Sequence, residues 1–100
     1  VSGGTYFIEN GKFSQCKDKA ISVGEKSRLK VDEIFIDYVK TGIAVKDLSK
    51  LDAKRSIINN SSVCVDAFQK KQEFGGALAK FENIICDGNY LEDNNSIIIY

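Results

Sequence analysis

The sequence predicts an α+β domain in which three or four helices pack on a small antiparallel sheet formed by the N- and C-terminal strands. β-prone residues stand at both ends of the chain, and apolar residues recur at helical spacing between them. The length of 100 residues, with 43% hydrophobic and 28% charged side chains, fits one compact domain spanning residues 1–100. No internal repeat is evident, and the apolar runs are too short to span a membrane.

The N-terminal segment predicts a β-hairpin. Residues 5–8 are β-prone, residues 9–11 supply turn chemistry, and residues 12–16 alternate between polar and apolar side chains. We therefore expect two antiparallel strands here.

The middle of the chain predicts two helices. The first begins after Ser27 as N-cap and ends near Gly42, and the second is capped by Asp47. The apolar positions that support these helices are Val31, Ile34, Phe35, Tyr38 and Val39 in the first, and Leu48, Leu51 and Ile58 in the second.

A third helical pattern starts near residues 61–62 and admits two interpretations. If Gly75 and Gly76 end the helix, a return helix brings Cys64 close to Cys86. If the helix continues through the glycines, they mark a place where another backbone packs closely. The unbroken apolar phase favours continuation, which separates the two cysteines by roughly 33 Å and leaves Cys16 to supply a disulfide partner.

The C-terminal residues 96–100 form a strongly β-prone run. Such a run needs a partner, so we expect it to pair with the N-terminal hairpin or with another copy of the chain. Charge favours a meeting of the two ends, because residues 1–30 carry six basic and three acidic side chains and residues 61–100 carry three basic and six acidic ones.

Composition excludes several classes of site. The chain has no His, which removes Ser-His-Asp and Cys-His nucleophile pairs and imidazole metal ligands. The three cysteines lack the paired spacing of zinc or iron–sulfur ligands. Fourteen basic and fourteen acidic residues do not give the basic excess of a nucleic-acid binder. We therefore expect no catalytic, metal or cofactor-binding residues, no cofactor and no nucleic-acid partner.

The chain contains no Met and begins at Val1, which predicts that a signal peptide has been removed and that the protein is secreted or periplasmic. In such a compartment, Cys16, Cys64 and Cys86 supply one disulfide and one remaining thiol, which is either buried or bonded to a partner. Three buried cytosolic thiols are the alternative.

The sequence predicts function largely by exclusion. We expect a non-catalytic protein-binding module of the inhibitor, immunity, effector or toxin-subunit type, with Tyr6, Tyr90 and Tyr100 as interface candidates and either a homodimer or a disulfide-linked partner as its assembly. The alternative is a helical carrier of a small apolar ligand, its cavity lined by Leu29, Phe35 and Ile36; an enzyme that relies on carboxylates comes third. The candidate N-glycosylation positions are Asn59, Asn60 and Asn94.

Overall fold

The protein is a parallel β-solenoid of about four turns in a computed structural model that describes residues 2–15, 17–71 and 75–100. These residues contain eight strands and no helix. The strands are β1 (Ser2–Ser14), β2 (Lys19–Asp37), β3 (Thr41–Lys46), β4 (Lys50–Asn59), β5 (Val63–Phe68), β6 (Leu78–Cys86), β7 (Asn89–Glu92) and β8 (Ile97–Ile99).

The chain winds so that strands of successive coils stack in parallel. The first sheet contains β1, the C-terminal part of β2, β4, β6 and β8, whereas the second contains the N-terminal part of β2, β3, β5 and β7. The predicted α+β fold with an antiparallel sheet is therefore wrong. Residues 97–99 do form a strand, but β8 pairs with β6, and β1 lies at the opposite edge of the first sheet.

The predicted first helix is a bent strand, and its burial pattern explains the error. Leu29 and Val31 are buried in the normal alternation of a strand, Glu33 adopts a left-handed backbone with φ of 64°, and Ile34 and Ile36 are buried after it. The left-handed residue shifts the alternation by one position. The resulting step of three from Val31 to Ile34 imitates the spacing of a helix.

The same pattern recurs in the four longer strands of the first sheet, so the expectation that the chain has no repeat is wrong. Partner residues of β2 and β4 are 22 residues apart, as are those of β2 and β3. The positions that align with residues 29, 31, 34 and 36 are Tyr6, Ile8, Gly11 and Phe13 in β1, Leu51, Ala53, Ser56 and Ile58 in β4, and Ala79, Phe81, Ile84 and Cys86 in β6. Their side chains differ so much in size and polarity that the repeat is weak in the sequence.

The N-terminal hairpin is also absent. β1 is a single strand that pairs in parallel with β2, and Asn10, with φ of 55°, bends it without reversing it. Turn-prone residues therefore mark bends of the solenoid, where a left-handed residue changes the direction of the chain.

Ser27 and Asp47, which were predicted as helix N-caps, lie instead at corners of the solenoid. Both take part there in hydrogen bonds that involve the backbone. The backbone N–H of Ser27 donates to Oγ of Ser49 at 3.2 Å in the next coil. Asp47 is buried, and its Oδ1 accepts hydrogen bonds from the backbone N–H groups of Lys70 at 2.7 Å and Lys71 at 2.9 Å. The second and third helices are thus replaced by β4, β5 and β6.

Gly42 and Gly76 both lie where chain segments approach closely. A Cβ on Gly42, which was predicted to cap a helix, would lie 2.6 Å from the carbonyl oxygen of Cys64. A Cβ on Gly76 would overlap the carbonyl oxygen of Asn95. The helix predicted to run through Gly76 does not exist, although close backbone approach at this glycine is confirmed.

Aliphatic side chains fill the interior between the two sheets, among them the fully buried Val23, Ile43 and Val65. Leu29 and Ile36 belong to this core, whereas Phe35 is on the outer face. These three residues therefore do not line one cavity, and the predicted carrier wall is wrong.

Cys64 and Cys86 form a disulfide with a Cα–Cα distance of 6.2 Å. The predicted disulfide is thus confirmed, but the favoured separation of these two cysteines along a continuous helix is wrong. Cys16 lies outside the described residues.

The part of the chain that the structure describes has no helix able to cross a membrane.

Candidate binding groove

A row of left-handed residues bends the first sheet in four successive coils. Asn10, Glu33, Arg55 and Asn83 have φ values of 55°, 64°, 48° and 64°, and their neighbours are paired in register. The bends of neighbouring strands lie side by side, so they form a concave strip on the outer surface that crosses the strands. The result is an open groove of about 580 Å³.

An exposed apolar row lies along this groove. Phe35 pairs with Ile57, and Ile57 pairs with Ile85, so the three side chains form one line across β2, β4 and β6. Their exposed fractions are 38%, 36% and 64%. Lys12 of β1 aligns with Phe35 and continues the row with a positive charge. We call Phe35, Ile57 and Ile85 the apolar row.

Charged side chains form the polar wall of the groove. Nη2 of Arg55 lies 2.6 Å from Oδ1 of Asp32 and 3.9 Å from Oε2 of Glu33. The hydrogen bond and the charge of Asp32, with a smaller contribution from Glu33, raise the pKa of Arg55 above its usual value. The two carboxylates thus face the guanidinium, an arrangement that orients Arg55.

The lining of the groove combines apolar side chains with Asn, Lys, Arg55 and Glu33, a mixture that also occurs in recognition surfaces. In the described residues, no group of three or more Cys, Asp or Glu side chains is arranged to hold a metal ion.

The tyrosines predicted as an interface lie at the two ends of the solenoid. Tyr90 and Tyr100 stack with ring centroids 4.0 Å apart and an interplanar angle of 9°. Burial, reinforced by the neighbouring Tyr100 hydroxyl, raises the pKa of Tyr90. Tyr6 is exposed on β1, at the other end. The three tyrosines therefore do not form one surface.

The candidate glycosylation positions differ in exposure. Asn60 is exposed at a left-handed corner, and its Nδ2 donates a hydrogen bond to Oδ1 of Asp37 at 2.8 Å. Asn94 is exposed in a turn, whereas Asn59 is half-buried at the end of β4. Glycosylation of Asn59, Asn60 and Asn94 stays a prediction.

Sequence reasoning missed the apolar row because it assigned Phe35 to a helix face. In each of the four longer strands of the first sheet, the residue that precedes the last inward-facing residue faces outward. These outward-facing residues are Lys12, Phe35, Ile57 and Ile85. Three of these four are bulky and apolar, which is unusual for outward positions, but their separations of 23, 22 and 28 residues are too irregular to reveal the row as a sequence repeat.

Comparison of the chain with protein-family models, with curated proteins and with solved structures found no match.

Proposed function

We propose that the protein is a non-catalytic protein-binding module whose groove holds an extended polypeptide segment of its partner. The observation that carries this proposal is the apolar row, which places Phe35, Ile57 and Ile85 side by side on the outer surface. Burial of exposed apolar side chains is the main favourable contribution to protein association.

The dimensions of the row favour an extended segment as its occupant. Adjacent strands are about 4.8 Å apart, so the line from Lys12 to Ile85 is about 14 Å long. Same-face side chains of an extended peptide recur about every 6.8 Å. The row therefore accommodates two or three such side chains, from a segment of about five residues.

Charge supports a particular sequence in that segment. Lys12 lies at one end of the row, whereas the positive charge of Arg55 is balanced by Asp32. An apolar segment with an acidic residue at the Lys12 end complements this surface. Because the contact is small, we expect micromolar rather than nanomolar affinity.

The Cys64–Cys86 disulfide supports secretion or export to a periplasm as the setting for this function, because disulfides persist in oxidising compartments. The inhibitor, immunity, effector and toxin-subunit roles are all compatible with the proposed binding of a partner protein.

The test is selection of peptides from a displayed random library on the oxidised chain, followed by fluorescence polarisation with the selected peptides. We expect apolar peptides with one acidic end residue, and at least a 10-fold loss of affinity in Ile57→Asn and Ile85→Asn. The matched control is Leu91→Asn, which removes an exposed aliphatic side chain from the second sheet and should leave affinity unchanged.

Two results would refute the proposal. One is equal affinity of the selected peptides for the wild type and both groove variants. The other is a tightly bound small apolar molecule, identified by mass spectrometry of an organic extract, that Ile57→Asn releases; this would favour a carrier.

A further inference from the structure

A second groove, of about 560 Å³, crosses the outer surface of the first sheet. The ion pair between Arg55 and Asp32 separates the two grooves, because Arg55 lines the binding groove and Asp32 lines the second one. We call the second one the charged groove, since every outward-facing side chain that lines it on β2, β4 and β6 is charged. These side chains are Lys30, Asp32, Asp52, Lys54, Lys80 and Glu82.

The signs of these charges alternate from strand to strand. In register, Asp52 lies between Lys30 and Lys80, and in the next outward row Lys54 lies between Asp32 and Glu82. Within the part of the chain that the structure describes, only Asp32 of these six side chains has an ion pair or a hydrogen bond, and its partner is Arg55. The other five therefore have hydrogen-bonding capacity for a ligand.

The face that holds the charged groove has an excess of positive charge. Arg28 and Lys50 lie directly opposite each other on β2 and β4, and both are exposed. Like charges at such positions repel each other, and among the described residues no carboxylate forms an ion pair with either of them. Five cations on β2, β4 and β6 therefore face two unpaired carboxylates, those of Asp52 and Glu82. The cations are Arg28, Lys30, Lys50, Lys54 and Lys80. This excess favours an anionic ligand.

The spacing of the charges favours a sugar chain over a peptide. Positive and negative side chains follow one another at the strand spacing of about 4.8 Å. Side chains on one face of an extended peptide recur about every 6.8 Å, so they do not meet each charge in turn. A hexose unit has a length close to the strand spacing, and its hydroxyl groups both donate to carboxylates and accept hydrogen bonds from ammonium groups.

The carboxylates between the lysines favour a ligand of low charge density. A nucleic acid or a heavily sulfated glycan would bring its closely spaced anions against Asp52 and Glu82. A chain of uronic acids carries one carboxylate on each sugar, and the hydroxyl groups beside it match the two acceptors. Phe7, which lines the β1 side of the charged groove and is 62% exposed, offers a ring on which the apolar face of a sugar can pack.

We propose that the charged groove binds an acidic polysaccharide built from uronic acids, with its chain running along the solenoid axis across β2, β4 and β6. Lys30 and Lys80 bind carboxylates of the sugar chain, and Asp52 accepts hydrogen bonds from its hydroxyl groups. The site is separate from the groove that holds a peptide, so this proposal does not depend on the proposed function.

Isothermal titration calorimetry of the oxidised 100-residue chain with tetramers of galacturonate, mannuronate and glucuronate tests the proposal. We expect at least one tetramer to bind, and added salt to weaken its binding. Lys80→Gln should weaken binding about 5-fold, because it removes a charge-assisted hydrogen bond at an exposed site. Lys40→Gln is the matched control: it removes the same charge from an exposed residue between β2 and β3 and should bind like the wild type.

Asp52→Ala distinguishes a shaped site from general attraction between opposite charges. The variant makes the face more positive, so general attraction would strengthen binding. Loss of the acceptor for sugar hydroxyl groups should instead weaken binding about 5-fold. Methyl-esterified tetragalacturonate keeps the hydroxyl groups without the charges and should bind less tightly than the acid form.

Three results would overturn the proposal once circular dichroism has shown that the variants are folded. The first is that none of the acid tetramers binds to the wild type. The second is tighter binding by Asp52→Ala, or an equal loss in Lys40→Gln and Lys80→Gln. The third is binding of poly-glutamate as tightly as the best tetramer, which would assign the charged groove to an acidic peptide.

Discussion

Cys64 and Cys86 are 22 residues apart in the sequence, and their disulfide links β5 to the end of β6 across the interior of the solenoid. The bond therefore closes a loop that contains most of β5 and all of β6. Constraint of the unfolded chain by a loop of this size stabilises the fold by about 3 kcal/mol in the chain-entropy model.

We predict that the double variant Cys64→Ala/Cys86→Ala loses about 3 kcal/mol of unfolding free energy, measured by urea titration. Reduced wild-type protein is the control, because it loses the bond and keeps both sulfur atoms. A midpoint that is the same for oxidised wild type, reduced wild type and the double variant would show that the bond contributes no stability.

The sequence predicts some of this architecture and misses its central feature. The strand character of both chain ends and the presence of a disulfide follow from residues such as Ile98 and Cys64. The parallel winding does not follow, because Glu33 and Arg55 adopt left-handed backbone conformations that these residue types disfavour. Stacking between coils imposes those conformations. Local residue propensities contain no information about this stacking.

Ser56 provides a test of how the core tolerates polar groups. It lies inward between Ile34 and Ile84, and its buried Oγ has no hydrogen-bond partner among the described residues. We predict that Ser56→Ala raises the unfolding free energy by about 1 kcal/mol, because it removes an unsatisfied hydroxyl. The measurement is urea unfolding followed by circular dichroism.

Ser49→Ala is the matched control for this change. Ser49 is as buried as Ser56, but its Oγ accepts the backbone hydrogen bond from Ser27. Its removal should lower stability by about 1 kcal/mol. If both variants shift stability in the same direction, hydrogen bonding does not decide the effect of these two serines.

Gly76 tests the close approach of two chain segments. A Cβ at Gly76 would overlap the carbonyl oxygen of Asn95, whereas a Cβ at Gly75 would meet the flexible end of the Leu48 side chain at 2.7 Å. We predict that Gly76→Ala costs about 2–3 kcal/mol and that Gly75→Ala costs clearly less. Equal melting temperatures for the two variants would contradict the close approach.

We predict that removal of the charge of Asp66 and removal of the charge of Asp93 have opposite effects on the stability of the fold. Burial raises the pKa of Asp66, the positive charge of Lys19 opposes that rise, and the charge of Asp93 adds to it. Hydrogen bonds, first from the backbone N–H of Gln69 and then from the Ser96 hydroxyl, lower the pKa of Asp93 against a smaller opposing effect of burial. The Gln69 bond to Oδ2 of Asp93 is 2.7 Å long.

The sign of each effect follows from proton binding. The folded chain holds the Asp66 proton more strongly than the unfolded chain does, so stability falls as pH rises from about 4 through the folded pKa and stays lower above it. We therefore predict that Asp66→Asn stabilises the protein at pH 7, by about 0.5 kcal/mol after allowance for solvent screening, and that this gain disappears below the unfolded pKa.

For Asp93, the folded chain holds the proton less strongly, so its ionised form stabilises the fold above about pH 4, and this contribution disappears as pH falls through the folded pKa. Asp93→Asn should consequently lower the melting temperature at pH 7 and have a progressively smaller effect toward pH 2. Thermal unfolding of both variants and the wild type between about pH 2 and pH 8 measures the two curves. Burial destabilises the ionised form of Asp66, whereas hydrogen bonding stabilises the ionised form of Asp93. Melting-temperature shifts of the same sign for both variants at pH 7 would therefore contradict these two causes.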